Sequence, residues 1–251
     1  MGSERLLAVT FDFWETLVRD TPENLARASE RRVHLLEAVV AAAGYARPRA
    51  AIEDAHERCW TVMTERFWAT DREPSIDDQV RLFFDCLEAG LRERLDGPSF
   101  ARAVDAYGVP AFEFPPDPMP GAVDVLRELA ARGLRLGIVS NTGRTPGIVL
   151  RRILARHDML RYFDAVAISY SDEVGFRKPD PRIFARSLRA LGVEPGRALH
   201  VGDNPDADVL GARKVGMRTA HYALAGSPPS AVADIVVGDL ADLPRHLDRF
   251  D

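Results

Sequence analysis

Asp12 closes the short apolar run LLAVTFD. A carboxylate delivered at the end of a strand can act as a nucleophile and carry a covalent intermediate. The same residue in the same place also serves as an ordinary cap of the following turn. Thr16, four residues on, reads either as a hydrogen-bond partner of that nucleophile and of phosphoryl oxygens, or as a turn-forming threonine. Ser140 and Asn141 stand just before a Gly-containing helix start, where a hydroxyl and backbone N–H groups suit an anion such as phosphate and equally suit plain N-capping. Lys178 precedes Pro179-Asp180-Pro181, which fixes the chain ahead of a helix. An ammonium held there can orient Asp12 and neutralise a transferring group. Asp203 and Asp208 fall together in GDNPDAD. Carboxylates gathered beside Asp12 repel one another unless a cation lies among them, and oxygen-only ligation suits Mg²⁺. Asp206 falls at the start of the helix opened by Pro205, where it favours the helix dipole.

These groups need elements to position them. Leu6–Asp12, Leu134–Ser140, Ala165–Ser169, Ala198–Gly202, Arg218–Tyr222 and Ile235–Val237 read as strands. Helical patterns lie between them, at Gly121–Arg132, Pro146–His157, from Pro181, and from Pro205 to Val215. Strands alternating with helices predict a parallel, doubly wound α/β sheet of the Rossmann-like kind. Its ligand crevice lies beyond the carboxyl ends of the strands. Asp12, Ser140-Asn141 and Asp203 all fall there, on three separate strands.

From Pro22 to Tyr107 the texture differs, being rich in Ala, Arg, Glu and Leu at helical spacing, with Gly44, Gly90 and Gly97-Pro98 as punctuation. This predicts an all-helical insertion of three to five helices, reached through the proline-dense FEFPPDPMPG. The expected division is a core of residues 1–18 and 118–251 and a helical cap of residues 19–117. The 251 residues are 46% hydrophobic and 28% charged, with a formal net charge of -5. No basic stripe argues for nucleic acid. The N-terminal apolar run is too short for a signal peptide or membrane helix, and two cysteines within helical segments fit reduced thiols. A cytoplasmic protein is expected. Oligomeric state is left open.

The pieces TFDFWETLV, IVSNTG, GFRKPDPRIF and HVGDNPDADVLGARKVGM, in that order, resemble the haloacid dehalogenase superfamily over residues 5–18 and about 118–245. The helical stretch matches the size and place of that family's larger cap. The resemblance implies a hydrolase, most often a phosphatase of small phosphorylated metabolites, working through an aspartyl intermediate at Asp12. Thr16, Ser140 and Lys178 would assist, and Ser140, Asn141, Lys178 and Trp14 would face substrate. It also implies Mg²⁺ held by Asp12, Asp203 and the main-chain carbonyl of Trp14, with Asp208 behind a coordinated water. Family phosphatases carry a second Asp where Trp14 stands, and indole cannot shuttle a proton. Glu15, Asp20 and His34 are candidate replacements. Glu15 itself, at a position the family often fills with a small residue, should point away from Trp14. An aromatic at that position also occurs in 2-haloacid dehalogenases, which lack the acidic pair kept here in GDNPDAD. A weakly catalytic phospho-ligand or protein binder is the third reading. A receiver-type Asp/Mg²⁺ module would be half this length.

Trp60, Phe67, Trp68, Phe83 and Phe84 read as helical core, with a substrate-facing role as the alternative. His34 and His56 read as structural or surface groups that could also reach a site. Arg31-Arg32, Arg47 and Arg49 read as solvated charge or as contacts to an anionic substrate.

Overall fold

The computed structural model describes residues 5–250. The chain forms two compact units, one of residues 1–20, 117–141 and 154–251, the other of residues 21–116 and 142–153.

The first unit is built on a six-stranded sheet. Its strands are β1 (Ala8–Phe11), β4 (Arg135–Ser140), β5 (Ile168–Tyr170), β6 (Ala198–Gly202), β7 (Arg218–Tyr222) and β8 (Ile235–Val237). They pair in the order β5-β4-β1-β6-β7-β8, all parallel. Every residue of β1 and β6 is buried, as near-continuous apolar runs require when helices cover both faces. β1 lies between β4 and β6, so the strand order reverses there and a crevice opens beyond those three carboxyl ends. The expected α/β fold is therefore present. β5 starts three residues later than the sequence suggests. Asp164 accepts from the Val166 N–H and winds Ala165–Ala167 into a 3₁₀ turn first. The helices of this unit include α7 (Ala122–Ala131), α10 (Pro181–Leu191, capped by Asp180) and α11 (Gly211–Lys214). Ile183, Phe184 and Leu188 of α10 share a core with Ala8, Val139 and Ala198 of the sheet. A two-residue antiparallel pair, β2 (Val18–Arg19) with β3 (Asp117–Pro118), was not foreseen. It ties the chain leaving this unit to the chain returning to it, helped by the Met119 N–H on the Leu17 carbonyl at 2.9 Å.

The second unit is helical. It holds α1 (Pro22–Ala42), α2 (Arg49–Arg66), α3 (Ile76–Leu87), α4 (Leu91–Arg94), α5 (Gly97–Gly108), α6 (Pro110–Glu113) and the start of α8 (Gly147–Arg156). Thr21, Ser75 and Asp96 cap α1, α3 and α5, and Pro22 and Pro98 stand where a missing N–H costs nothing. Leu36, Ile52, Met63, Phe83, Phe84 and Tyr107 form its core. Phe83 and Phe84 thus pack the interior, as expected from their spacing. Gly108 permits close approach, since a Cβ there would stand 2.8 Å from Cγ of Pro146. Among the described residues no helix is long and apolar enough to cross a membrane.

Candidate active site

Parallel pairing delivers Asp12, Ser140 and Asp203 to one edge of the sheet. Asp12 follows β1 directly; its N–H reaches the Val201 carbonyl at 2.9 Å, continuing the ladder to β6. Its Oδ1 accepts from the Phe13 N–H at 2.7 Å and from Lys178 Nζ at 2.7 Å. Asp12 is 7% exposed. Burial raises its pKa most; Lys178 opposes that, Asp208 adds to it, and hydrogen bonding from Lys178 and Ser140 favours the anion.

Lys178 is the hub. Its ammonium lies 2.6 Å from Asp208 Oδ1 as well as 2.7 Å from Asp12 Oδ1. Burial works to lower its pKa, but the two carboxylates outweigh that and hold it charged. Asn141 fixes its backbone from both sides: the Lys178 N–H donates to Asn141 Oδ1 at 2.7 Å, and Asn141 Nδ2 donates to the Lys178 carbonyl at 3.2 Å. The Asn141 side chain therefore positions the lysine, a use that the motif alone did not reveal.

Asp208 is buried and engaged on both oxygens. Oδ1 receives Lys178 and His200 Nε2 (3.1 Å), and Oδ2 receives the Asn204 N–H at 2.9 Å. Burial would raise its pKa, yet Lys178 and His200 hold it far below the usual carboxylate range. Two sequence features allow this. A Cβ on Gly202 would lie 2.2 Å from Asp208 Cγ, so only glycine fits there. The residues Pro205–Leu210 form a π-turn capped by Asn204 rather than an α-helical one, a local irregularity often found at functional sites.

Asp203 differs. It is half-buried, and burial, then Asp12 and Asp208, push its pKa up to about 7. Its carbonyl accepts from His221 Nε2 at 2.9 Å; the Ser230 N–H on His221 Nδ1 fixes that tautomer. Asp12, Asp203 and Asp208 each offer an oxygen within 4.8 Å of the others, close enough for one metal ion.

The remaining candidates are placed as follows. Ser140 is fully buried at the end of β4. Trp14 is half-buried and packs edge-on against Phe13 at 4.9 Å. Thr16 Oγ1 is buried and makes no hydrogen bond, so it is not on Asp12. Glu15 adopts a left-handed conformation (φ 56°) and its carboxylate pairs with Arg19 at 2.7 Å. His200 was missed. Its Nδ1 lies 2.9 Å from Thr10 Oγ1, so Thr10, His200, Asp208, Lys178 and Asp12 form one buried polar chain. A histidine inside a fully buried strand needs a partner, and that was the available signal.

A family model described as haloacid dehalogenase-like hydrolase matches residues 6–216. The chain belongs to that family. It is a hydrolase of that kind, with the motif order and parallel core the resemblance implies. Human haloacid dehalogenase-like hydrolase domain-containing protein 3 is 46% identical over 99 residues, 39% of this chain and 37% of that one. Phosphoserine phosphatase of Thermus thermophilus is 39% identical over 126 residues, 49% of each. The chain thus spans half or less of the length of these curated relatives. Among solved structures, a 2-haloacid dehalogenase from Pseudomonas syringae superposes with a TM-score of 0.72 at 25% identity, covering 98% of this chain and 100% of that one.

Proposed function

We propose that this hydrolase is a Mg²⁺-dependent phosphatase of a small phosphorylated metabolite, with Asp12 as nucleophile. The observation that carries this reading is charge. Three carboxylates gather within 4.8 Å beside one ammonium, which pairs with Asp12 and Asp208 and leaves Asp203 without an ion pair among the described residues; burial, then its two carboxylate neighbours, push its pKa up to about 7. The residues fit a hard cation: Asp203 and the Asp12 oxygen not used by Lys178 would hold it directly, with the Trp14 carbonyl by family likeness. Asp208, whose oxygens are already engaged, would stand behind them. When bound, the ion would draw charge from the phosphoryl oxygens.

Lys178 orients Asp12 and Ser140 offers its hydroxyl to the phosphoryl group. Asp12 forms the new O–P bond as the ester O–P bond breaks, and the departing alkoxide takes a proton. Water then attacks phosphorus, breaking the Asp12–phosphorus bond and releasing phosphate. With Trp14 where a second acid would stand, the leaving-group proton comes from water. The helical unit serves as the cap domain, and the two free thiols, Cys59 and Cys86, suit a reducing cytoplasm. The phosphatase relative supports the reaction class.

The test is hydrolysis of an activated aryl phosphate, with Mg²⁺ or chelator, beside Asp12→Asn. Turnover is expected to need both the ion and Asp12, and to fall on the order of 10³-fold or more in the variant. Turnover in chelator, or in Asp12→Asn, would end the reading. A second reading rests on Trp14 and the full-length likeness to a 2-haloacid dehalogenase. There Asp12 displaces halide from carbon and water cleaves the resulting ester. Halide release from 2-chloropropionate in chelator would select it.

A further inference from the structure

A second group of ionisable side chains lies inside the helical unit, assembled from α1, α2, α3, α5 and the segment 142–153. Arg32 of α1 is 5% exposed; its Nε donates to the Tyr107 carbonyl at 2.6 Å, and its guanidinium stands 5.6 Å from the Tyr107 ring centre. Arg144 lies over the Trp60 ring at 4.4 Å and donates from Nη2 to the His56 carbonyl at 3.1 Å, while its buried Nε has no partner. His56 is 1% exposed with Nε2 unpartnered. Gln79 donates from Nε2 to the carbonyls of Pro74 and Gly143, leaving a buried Oε1 with no donor.

What distinguishes the two guanidiniums is their missing counter-charge; the nearby carboxylate of exposed Glu57 lies 3.7 Å from His56 Nδ1 instead. Among the described residues neither Arg32 nor Arg144 makes an ion pair, although Arg31, Arg47 and Arg49 each hold a glutamate. A buried cation with no anion and orphaned polar atoms beside it is costly to keep for stability alone. Burial, then Arg144 and Arg32, push the His56 pKa down to about 3, so the imidazole is neutral and adds no cation.

We infer that this cluster is a binding site for a small hydroxycarboxylate. The two guanidiniums supply the planar, charge-assisted donors that a carboxylate accepts. The Oε1 of Gln79 is an acceptor, so it needs a donor on the ligand. A hydroxyl beside the carboxylate meets that need, whereas acetate offers no donor and phosphate presents a tetrahedral anion in place of a planar carboxylate. His56 Nε2 takes either role according to tautomer. The inference does not depend on the reaction performed at Asp12.

The test uses the full chain, in chelator, with ¹⁵N-labelled histidine. Glycolate, acetate and inorganic phosphate are titrated while the His56 ring signals are followed. Glycolate is expected to shift those signals saturably and to bind more tightly than acetate or phosphate. Its affinity should fall about tenfold or more in Arg144→Gln and Arg32→Gln, the loss expected for one charge-assisted contact. It should be unchanged in Asp12→Asn. Unmoved His56 signals, equal affinity in Arg144→Gln, loss in Asp12→Asn, or a preference for phosphate would each overturn the proposal. If Arg32→Gln fails to fold, Arg144→Gln decides. A merely structural Arg144 would lower the melting temperature and leave glycolate affinity intact, which also overturns it.

Discussion

Lys178 and Arg32 are both buried cations, and their surroundings are opposite. Lys178 touches two carboxylates, and its backbone is clamped by Asn141. Arg32 touches a main-chain carbonyl and an aromatic ring, with no carboxylate at ion-pair distance among the described residues. Burial pulls both pKa values down. In Lys178 the paired anions outweigh it, whereas Arg32 falls to about 10. A cation that belongs to the folded framework is compensated by it. One that is left uncompensated is held for something that arrives.

That contrast predicts unequal costs of removing charge. Lys178→Met strips the counter-ion from buried Asp12 and Asp208, and should cost about 3–5 kcal/mol of stability in urea unfolding at neutral pH. Arg32→Met relieves an uncompensated buried charge but leaves the Tyr107 carbonyl without its donor, two effects of opposite sign, so it should leave stability unchanged or raise it by about 1–3 kcal/mol. Equal losses would erase the distinction. Loss of phosphatase activity is expected only to accompany the first as a direct effect, since Lys178 lies on Asp12.

Trp14 sharpens the comparison from the side of chemistry. The carboxylate site is charge-organised yet has no side-chain acid where the family's phosphatases keep one. Trp14→Asp should raise kcat/KM on an alkyl phosphate, whose alkoxide leaves poorly, by about 10- to 100-fold, the lower part of the range for general acid catalysis. An aryl phosphate should gain much less, because its leaving group needs little help. No gain on either ester would show that the step limited by the proton is not rate-determining.

The sequence announced the residues that end strands and missed those that work through others. Ala198–Gly202, Arg218–Tyr222 and Ile235–Val237 carry the bounds read from their apolar runs, because Gly, Asp and turn residues stop each one. Asp12, Ser140 and Asp203 stand at or just after the ends of apolar runs and Lys178 just before a proline-marked helix start, positions that a local pattern can mark. His200 lies within a strand, and its partner Thr10 is 190 residues away, a pairing no local pattern encodes. Arg32 sits beside Arg31 with the same type and propensity. Only packing decides that Arg31 meets Glu113 at the surface while Arg32 turns inward. Asn141 carries a role that no local pattern gave: its side chain holds the Lys178 backbone through both its amide nitrogen and its oxygen.

Asp203 gives the finest test, because it is the one carboxylate of the three that Lys178 does not pair with, and its pKa is raised by burial and by Asp12 and Asp208. The folded value is about 7 and the ordinary value 3.8. Between those pH values the folded chain keeps a proton on Asp203 that the unfolded chain has lost, so stability falls as pH rises from about 4 to 7. Asp12, also raised, acts in the same direction. Asp208 has the opposite sign: its lowered pKa gives stability that is present above the ordinary carboxylate range and lost only in stronger acid, outside this window. In chelator the melting temperature should therefore drop by a few degrees between pH 4.5 and 7.5, using about 2–4 °C per kcal/mol for a chain of this size. Asp203→Asn should flatten much of that slope and raise the melting point at pH 7.5. Mg²⁺ should do the same to the unaltered chain by binding the folded state, and should do little to Asp203→Asn. A flat profile in chelator would mean that Asp203 already has its counter-charge within the protein, and with it the electrostatic case for a metal among these carboxylates would fall.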